Sequence, residues 1–238
     1  MIKPEEIAPK IIVLLPIKAN SERVRGKNFK LFCGKPLFKW ILDSLISIPQ
    51  ISQIVINTDA RELLSENNLV DSERVLIRDR KAKICGDFVS MNSILADDID
   101  NIPADIYMMT HTTNPLLGSE TIQQALSNFL VAKSHNTADS LFTVNKFQTR
   151  FYSKNGIAVN HNPNKLIRTQ DLEPWYEENS NLYIFTPESF AISNARIGKK
   201  PIMYETPRLE SIDIDDHTDW QLAEALAQYF SFKVAEVA

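Results

Sequence analysis

Lys18, Arg23, Arg25 and Lys27 crowd into a short segment directly after the apolar run Ile11 to Leu15. Such a run reads as a buried parallel strand. In an open α/β sheet ligands bind at the carboxyl ends of strands, so a cationic loop there is a candidate grip for phosphate. The basic residues are spaced along a turn rather than along one helix face, and a solvated charged loop is the competing reading. Neither G-x-x-x-x-G-K-[S/T] nor G-x-G-x-x-G is present. Gly34-Lys35-Pro36 lacks the preceding glycine spacing and the hydroxyl residue, which argues against a P-loop NTPase.

Near the other end stands Asp213-Ile214-Asp215. In extended backbone, positions i and i+2 project to one face, so the two carboxylates can converge on a hard cation. Mg²⁺ takes oxygen ligands and keeps several waters, so one or two carboxylates plus substrate phosphate suffice. The competing reading is a cap for the last helix, a role that Asp216 or Thr218 can fill without them. Asp59 ends an apolar strand at Ile54–Thr58, where it either faces a ligand or caps the following helix. Capping is the simpler reading. Asp87 and Ser90 are the polar groups of a turn at 85–90, which reads equally well as an ordinary helix start. His111 follows a strand, and a lone histidine is more often structural than catalytic. His135, His161 and His217 show no metal-ligand spacing.

A chain of 238 residues, 44% hydrophobic and 24% charged, has ample material for a core and reads most simply as one domain, 1–238, with an elaboration. A formal net charge of −4 argues against a general nucleic-acid binder, and the local concentration of positive charge at residues 18–30 suits a small anionic ligand better than a polymer. Cys33 and Cys85 are the only cysteines. With no secretory signal and no uninterrupted 18-residue apolar stretch, the expectation is a cytoplasmic protein with free thiols and no membrane partner.

Strands and helices alternate along the chain. Strands are expected at 11–15, 51–57, 74–77, 105–110, 141–144 and 181–185, with another at 203–205. Helices are expected at 36–48, 61–67, 88–99, 119–132 (Ser119 as N-cap) and 219–230. The last helix should bury Trp220, Leu222, Ala223, Leu226 and Tyr229. This rhythm predicts a three-layer, doubly wound, mostly parallel α/β sheet. Residues 145–180 break it with turn signals at 154–156 and 162–164, and read as a β-rich excursion.

These residues together resemble the acylneuraminate cytidylyltransferases, the CMP-sialic acid synthetases and their relatives. The opening strand, Ser21-x-Arg23, Gly26-Lys27-Asn28 and Gly34-Lys35-Pro36-Leu37 match the opening signature of that family, and Ser211-Ile212-Asp213-Ile214-Asp215 matches its C-terminal Asp-Ile-Asp. Ile54 to Asp59 is similar to the second strand, and His111-Thr112-Thr113-Asn114-Pro115-Leu116 stands where a Gln-Pro-Thr-Ser-Pro-Leu segment is usual. Several positions depart from the pattern. Lys18 replaces an arginine, His111 a glutamine and Leu117 an arginine, while Glu177 or Glu178 stands where another arginine is usual.

The resemblance implies a nucleotidyltransferase-like fold and transfer of CMP from CTP to a nonulosonic acid of sialic, legionaminic or pseudaminic type, serving surface polysaccharide biosynthesis. By the same resemblance, Lys18, Ser21, Arg23, Lys27, Asn28, Asp87 and Ser90 bind the nucleotide. Asp213 and Asp215 hold Mg²⁺, and Lys18 and Lys27 join them in catalysis. His111, Arg168, Gln170 and Tyr176 receive the sugar acid, with Arg168 on its carboxylate. The excursion makes a homodimer contact. The alternatives are a CMP-Kdo-type synthetase, a nucleotide-sugar glycosyltransferase and a non-catalytic nucleotide-binding subunit.

Overall fold

The computed structural model describes residues 8–237, with side chains described as far as Phe230; the polar lead-in at residues 1–7 lies outside the described residues. The first strand sets the architecture. In β1 (Ile11–Leu14) every side chain is buried, Ile11 and Val13 in one core, Ile12 and Leu14 in another. A strand apolar on both faces needs cover on both, and the chain supplies it with helices.

After β1 the chain makes a small hairpin, β2 (Leu31–Phe32) and β3 (Lys35–Pro36), and enters α1 (Leu37–Ile46). It continues through β4 (Gln53–Thr58), α2 (Arg61–Glu66), β5 (Val75–Asp79), α3 (Met91–Asn101), β6 (Ile106–Thr110) and α4 (Ser119–Ser134). Then come β7 (Ser140–Phe147), β8 (Trp175–Phe185), α5 (Pro187–Ser193), β9 (Pro201–Glu205) and α6 (His217–Val237). The main sheet has seven strands in the order β5-β4-β1-β6-β8-β7-β9, with β8 alone reversed. Helices α1 and α4 cover one face through Phe38, Ile41, Leu45, Ile122 and Phe129. Leu95 of α3 and Phe190 of α5 cover the other. The expected three-layer sheet is what forms.

Because β1 pairs with β4 on one side and β6 on the other, the chain reverses its winding at β1. A crevice opens at the carboxyl ends of strands where winding reverses, and the basic loop emerges there. A third apolar cluster pins that loop from outside. Val24, Phe32 and Leu37 pack with Leu116, Ile214 and the α6 residues Trp220, Ala223 and Ala227. Phe32 meets Trp40 and Trp220 edge-on at 5.4 Å each, contacts worth about 0.5–1.5 kcal/mol apiece beyond burial.

Several expectations need correction. Leu222 and Tyr229 are exposed, and the buried stripe of α6 runs through Trp220, Ala223 and Ala227. Small alanines let that helix lie close against the loop. Ser119 is the first helical residue rather than its cap; Gly118 precedes it and donates its N–H to Glu210. Helix α5 was not expected, being too short for a periodic pattern, although Thr186 and Ser189 form a reciprocal cap beside Pro187. The excursion is less β-rich than its turns imply. The β7–β8 ladder continues out to Phe147 and Trp175, but beyond it lie one bridge, Tyr152 with Ala158, and a single 3₁₀ turn. Strand β8 begins at Trp175 rather than 181. Its register slips between Phe142–Tyr183 and Val144–Glu178, and this bulge interrupts the alternation by which the strand would be read.

Candidate active site

A cavity of about 390 Å³ opens at the carboxyl ends of β1 and β6. The basic loop forms one wall, the 86–91 turn another, and His111 to Thr113 the floor. The loop's conformation is local in origin. Gly26 sits at φ 62°, a left-handed position that favours glycine, and it turns Lys27–Phe29 into a 3₁₀ turn whose first side chain points inward. Asp59 neither borders this cavity nor caps α2; its carboxylate accepts the N–H of Ala19 at 2.8 Å and ties the loop to β4. Asn28 bridges loop and floor, donating to the Lys18 carbonyl at 2.7 Å and accepting from Thr112 Oγ1 at 2.6 Å. Expected at the nucleotide, Asn28 lines the cavity but directs its amide chiefly into this scaffold.

Arg80 lines the cavity as well, and the sequence reading missed it. Its guanidinium donates to Asn57 Oδ1 at 3.0 Å and to the carbonyls of Asn57 and Ile17, clasping the end of β4 to the start of the basic loop. Asn57 in turn donates to the fully buried Asp98 at 2.8 Å. An arginine flanked by charged residues on a surface turn gives no local sign that it folds inward.

Lys18, Ser21, Arg23, Lys27, Asp87 and Asp215 all border the cavity. Lys18 pairs with Asp87 at 3.0 Å, and Arg23 with Asp215 at 2.9 Å. Lys27 is buried, donates to the Ile214 carbonyl, and stands 3.9 Å from Asp215. Burial pushes its ammonium below the ordinary lysine value, against the pull of Asp215 and Asp213. The 212–215 segment is stitched down by the Ile214 N–H on the Thr113 carbonyl at 2.8 Å and by Asn114 on Ile212. Ile214 is fully buried; Asp215 borders the cavity, whereas Asp213 does not and keeps Oδ1 buried. Asp216 caps α6 through the N–H groups of Thr218 and Asp219. Asp213 and Asp215 are thus left for other work.

Burial raises the Asp213 carboxyl above its ordinary value, with Asp215 adding to the effect and a hydrogen bond to Thr113 opposing it. Asp213 Oδ1 is buried and has no hydrogen-bond partner. An orphaned carboxylate oxygen two residues from a second carboxylate fits a hard cation completed by substrate phosphate. Among the described residues no three His, Cys, Asp or Glu side chains converge as a closed metal cage. Two carboxylates are what this segment offers.

His111 is neutral here. Desolvation lowers its pKa from 6.5 to about 3, with the charges of Arg196 and Lys27 adding to the effect. The unfolded chain therefore binds this proton first, and stability due to His111 is lost as pH falls from 6.5 toward 3. Relative to His111→Asn, the wild type should lose on the order of 2 kcal/mol between about pH 7 and about pH 4.5, discounting for the ring's partial exposure. Urea midpoints at the two pH values test this, and a difference independent of pH refutes it. Asp98, raised by burial, shifts stability the opposite way in both proteins and cancels in the comparison.

The other expected sugar contacts are not brought together in one chain. Arg168 is exposed and forms a fork with Asp171 at 2.7 and 3.0 Å, and neither it, Gln170 nor Tyr176 borders the cavity. Ser90 faces a neighbouring groove with Asn92 and Arg196. Leu117 lies in the main core, and Glu178 pairs with Arg196.

The cytidylyltransferase family model matches residues 12–234 of this chain. The chain is 22% identical to the pseudaminic acid cytidylyltransferase of Campylobacter jejuni, over 91% of its own length and 96% of that protein. It is 25% identical to the CMP-N,N'-diacetyllegionaminic acid synthase of Legionella pneumophila, over 92% and 97%. Among solved structures it resembles a CMP:2-keto-3-deoxy-manno-octonic acid synthetase complexed with CTP, with a TM-score of 0.63 at 12% identity, covering 92% of this chain and 99% of that one. A cytidylyltransferase from Leptospira borgpetersenii gives 0.59 at 17% identity, covering 92% and 87%. At these identities the structural likeness speaks for the fold.

Proposed function

The chain belongs to the cytidylyltransferase family, and from that premise we propose that it transfers CMP from CTP to the anomeric hydroxyl of a nonulosonic acid, releasing pyrophosphate. The observation that carries this reading is the pairing, at one cavity, of a cationic loop with the Asp215 carboxylate, two residues from the orphaned Asp213 oxygen. The named relatives act on pseudaminic and legionaminic acids, and they align over nearly their whole length.

In the reaction the hydroxyl oxygen forms a bond to the α-phosphorus while the bond to the β-phosphate oxygen breaks, and the hydroxyl proton is released. Such a step asks the protein for positioning and charge neutralisation rather than covalent chemistry. Lys18, Arg23 and Lys27 neutralise the triphosphate, with Ser21 as a further hydrogen-bond donor in the loop. Triphosphate entry competes with the Lys18–Asp87 and Arg23–Asp215 pairs. Both lie near solvent and are individually weak, so exchanging them costs little. Asp213 and Asp215 would hold Mg²⁺, which would supply Lewis-acid stabilisation of phosphoryl charge. Asp87 and Asn28 bound the nucleoside end of the cavity.

We assign the protein to the cytoplasm, where CTP is found; no described helix is long and apolar enough to cross a membrane. Tyr152, Ile157, Leu166 and Ile167 are exposed on the excursion. We take them as the contact of a homodimer, across which Gln170 and Tyr176 approach the acceptor. Light scattering giving twice 27.1 kDa is the expected outcome, and a clean monomer removes the claim.

The function is tested by pyrophosphate release from CTP and Mg²⁺ with a panel of keto-sugar acids. Release with one acid identifies the acceptor. Tight CTP binding without release for any acid moves the protein to the binding-only class.

A further inference from the structure

The segment that carries Asp213 and Asp215 belongs to no helix or strand. It joins β9 to α6 across residues 206–216, so individual ties rather than a ladder fix its course. Gly118 donates its N–H to the Glu210 carboxylate at 2.9 Å, and Asn181 Nδ2 donates to the Glu210 carbonyl at 3.1 Å. Asn114 Nδ2 donates to the Ile212 carbonyl at 3.4 Å, and the Thr113 carbonyl accepts the Ile214 N–H at 2.8 Å. Thr113 and Asn114 thus bracket Asp213 from both sides along the chain. The ties from Lys27 to Ile214 and from Arg23 to Asp215 are of another kind, since they come from cations that an incoming triphosphate would draw on.

Asn114 and Asn181 are themselves fully buried, and Asn114 Nδ2 also donates to Asn181 Oδ1 at 3.3 Å. Burying an amide is costly unless its donors and acceptors are met. Asn181 is met throughout. Its backbone N–H reaches Asn179 Oδ1 at 3.2 Å, and its carbonyl accepts from Thr110 Oγ1 at 2.6 Å. Asn114 is not, for its Oδ1 is buried without a partner. A leucine would fill that volume without the cost, so the residue is explained by what its N–H groups hold. Strand direction brings the two amides together. Strand β8 runs against its neighbour β6, so Leu182 lies opposite Thr110, the last residue of β6, and Asn181 stands at the cavity end of the sheet. Asn179, two residues earlier, secures the start of the same segment through Thr206 Oγ1 at 2.6 Å.

Resting on the function proposed above, we propose that Asn114 and Asn181 are positioning residues for the cation site. By fixing the backbone ahead of Asp213 they set where both carboxylates stand relative to the triphosphate. Asp215 borders the cavity and Asp213 stands back from it, so a small shift of the backbone changes whether their oxygens can share one hard cation. Neither amide borders the cavity, so losing one acts through the carboxylates and not on the nucleotide directly.

The test uses the full chain with Asn114→Ala and Asn181→Ala, and titrates CTP calorimetrically without acceptor, once with Mg²⁺ and once with EDTA. In the wild type Mg²⁺ should tighten CTP at least tenfold. Either variant should cut that gain at least fivefold and leave the affinity in EDTA within twofold. Asp213→Asn should cut it as well, and adding Asn114→Ala to Asp213→Asn should cost nothing more, because the amide acts through the carboxylate. A variant that keeps the full gain overturns the proposal, and so does one that weakens CTP equally with and without the metal. Wild type that gains nothing from Mg²⁺ refutes the metal's part in the proposed function instead. Amide hydrogen exchange then reads the positioning by itself. In Asn114→Ala a peptide spanning 210–215 should exchange at least tenfold faster while β1 keeps its protection. Unchanged exchange at 210–215, or exchange that quickens in both alike, overturns the assignment.

Discussion

Lys27→Ala is expected to lower kcat/KM for CTP on the order of 100- to 1,000-fold, the usual cost of deleting one preorganised donor at a site of developing charge. The physical case rests on burial. Lys27 has 8% of its surface exposed and is anchored on the Ile214 carbonyl beside two carboxylates, so its ammonium is already oriented when a phosphate arrives. At an effective dielectric of about 20, two unit charges about 4 Å apart interact by about 4 kcal/mol, and a buried lysine is screened less than the exposed Arg23. Arg23→Ala should accordingly cost much less, about tenfold or under. Lys27→Met keeps the aliphatic stem that fills the wall and separates lost charge from lost packing. Pyrophosphate release measured over a CTP series decides it. Turnover of Lys27→Met within tenfold of wild type would sink the assignment.

The second large effect pairs opposite signs. Asp213→Asn should abolish most pyrophosphate release, by on the order of 100-fold or more, and raise the Mg²⁺ concentration for half-maximal rate. It should nevertheless leave the thermal midpoint unchanged or higher. Burial without a partner for Oδ1 already makes the charged carboxylate unfavourable in the fold, and an amide removes that charge. Residues kept for packing lose stability when replaced; residues kept for chemistry lose activity first. Asp215→Asn should cut activity similarly, because Arg23 and Lys27 both converge on it. Chelation by EDTA should silence the wild type and be reversed by added Mg²⁺. An Asp213→Asn enzyme of normal rate and lowered midpoint would make this aspartate structural.

How far the site was legible varies residue by residue. The cationic loop is contiguous, and its placement after an apolar strand is enough to put Lys18, Arg23 and Lys27 at one cavity. Asp215 is legible at the cavity, whereas Asp213, expected to converge with it, does not border that cavity. The tie from Asp59 to the loop is not legible locally, because the N–H it accepts belongs to a residue forty positions earlier. Arg80 carried no signal, since its partners lie far away in the sequence.

By itself the sequence determined what depends on near neighbours. These features are the doubly wound alternation, the glycine-turned basic loop, the paired carboxylates before the last helix, and the family to which they belong. Each rests on hydrophobic periodicity or backbone preference acting over a few residues. Only the tertiary structure decided which polar side chains are held as scaffold and which are left free. Asn28 closes on Lys18 and Thr112, Arg168 on Asp171, and Arg196 on Tyr183 and Glu178, whereas Lys18, Ser21 and Lys27 border the cavity. Hydrogen-bond partnership at long sequence separation depends on distances that arise only once the sheet has assembled, and those distances divide framework from site.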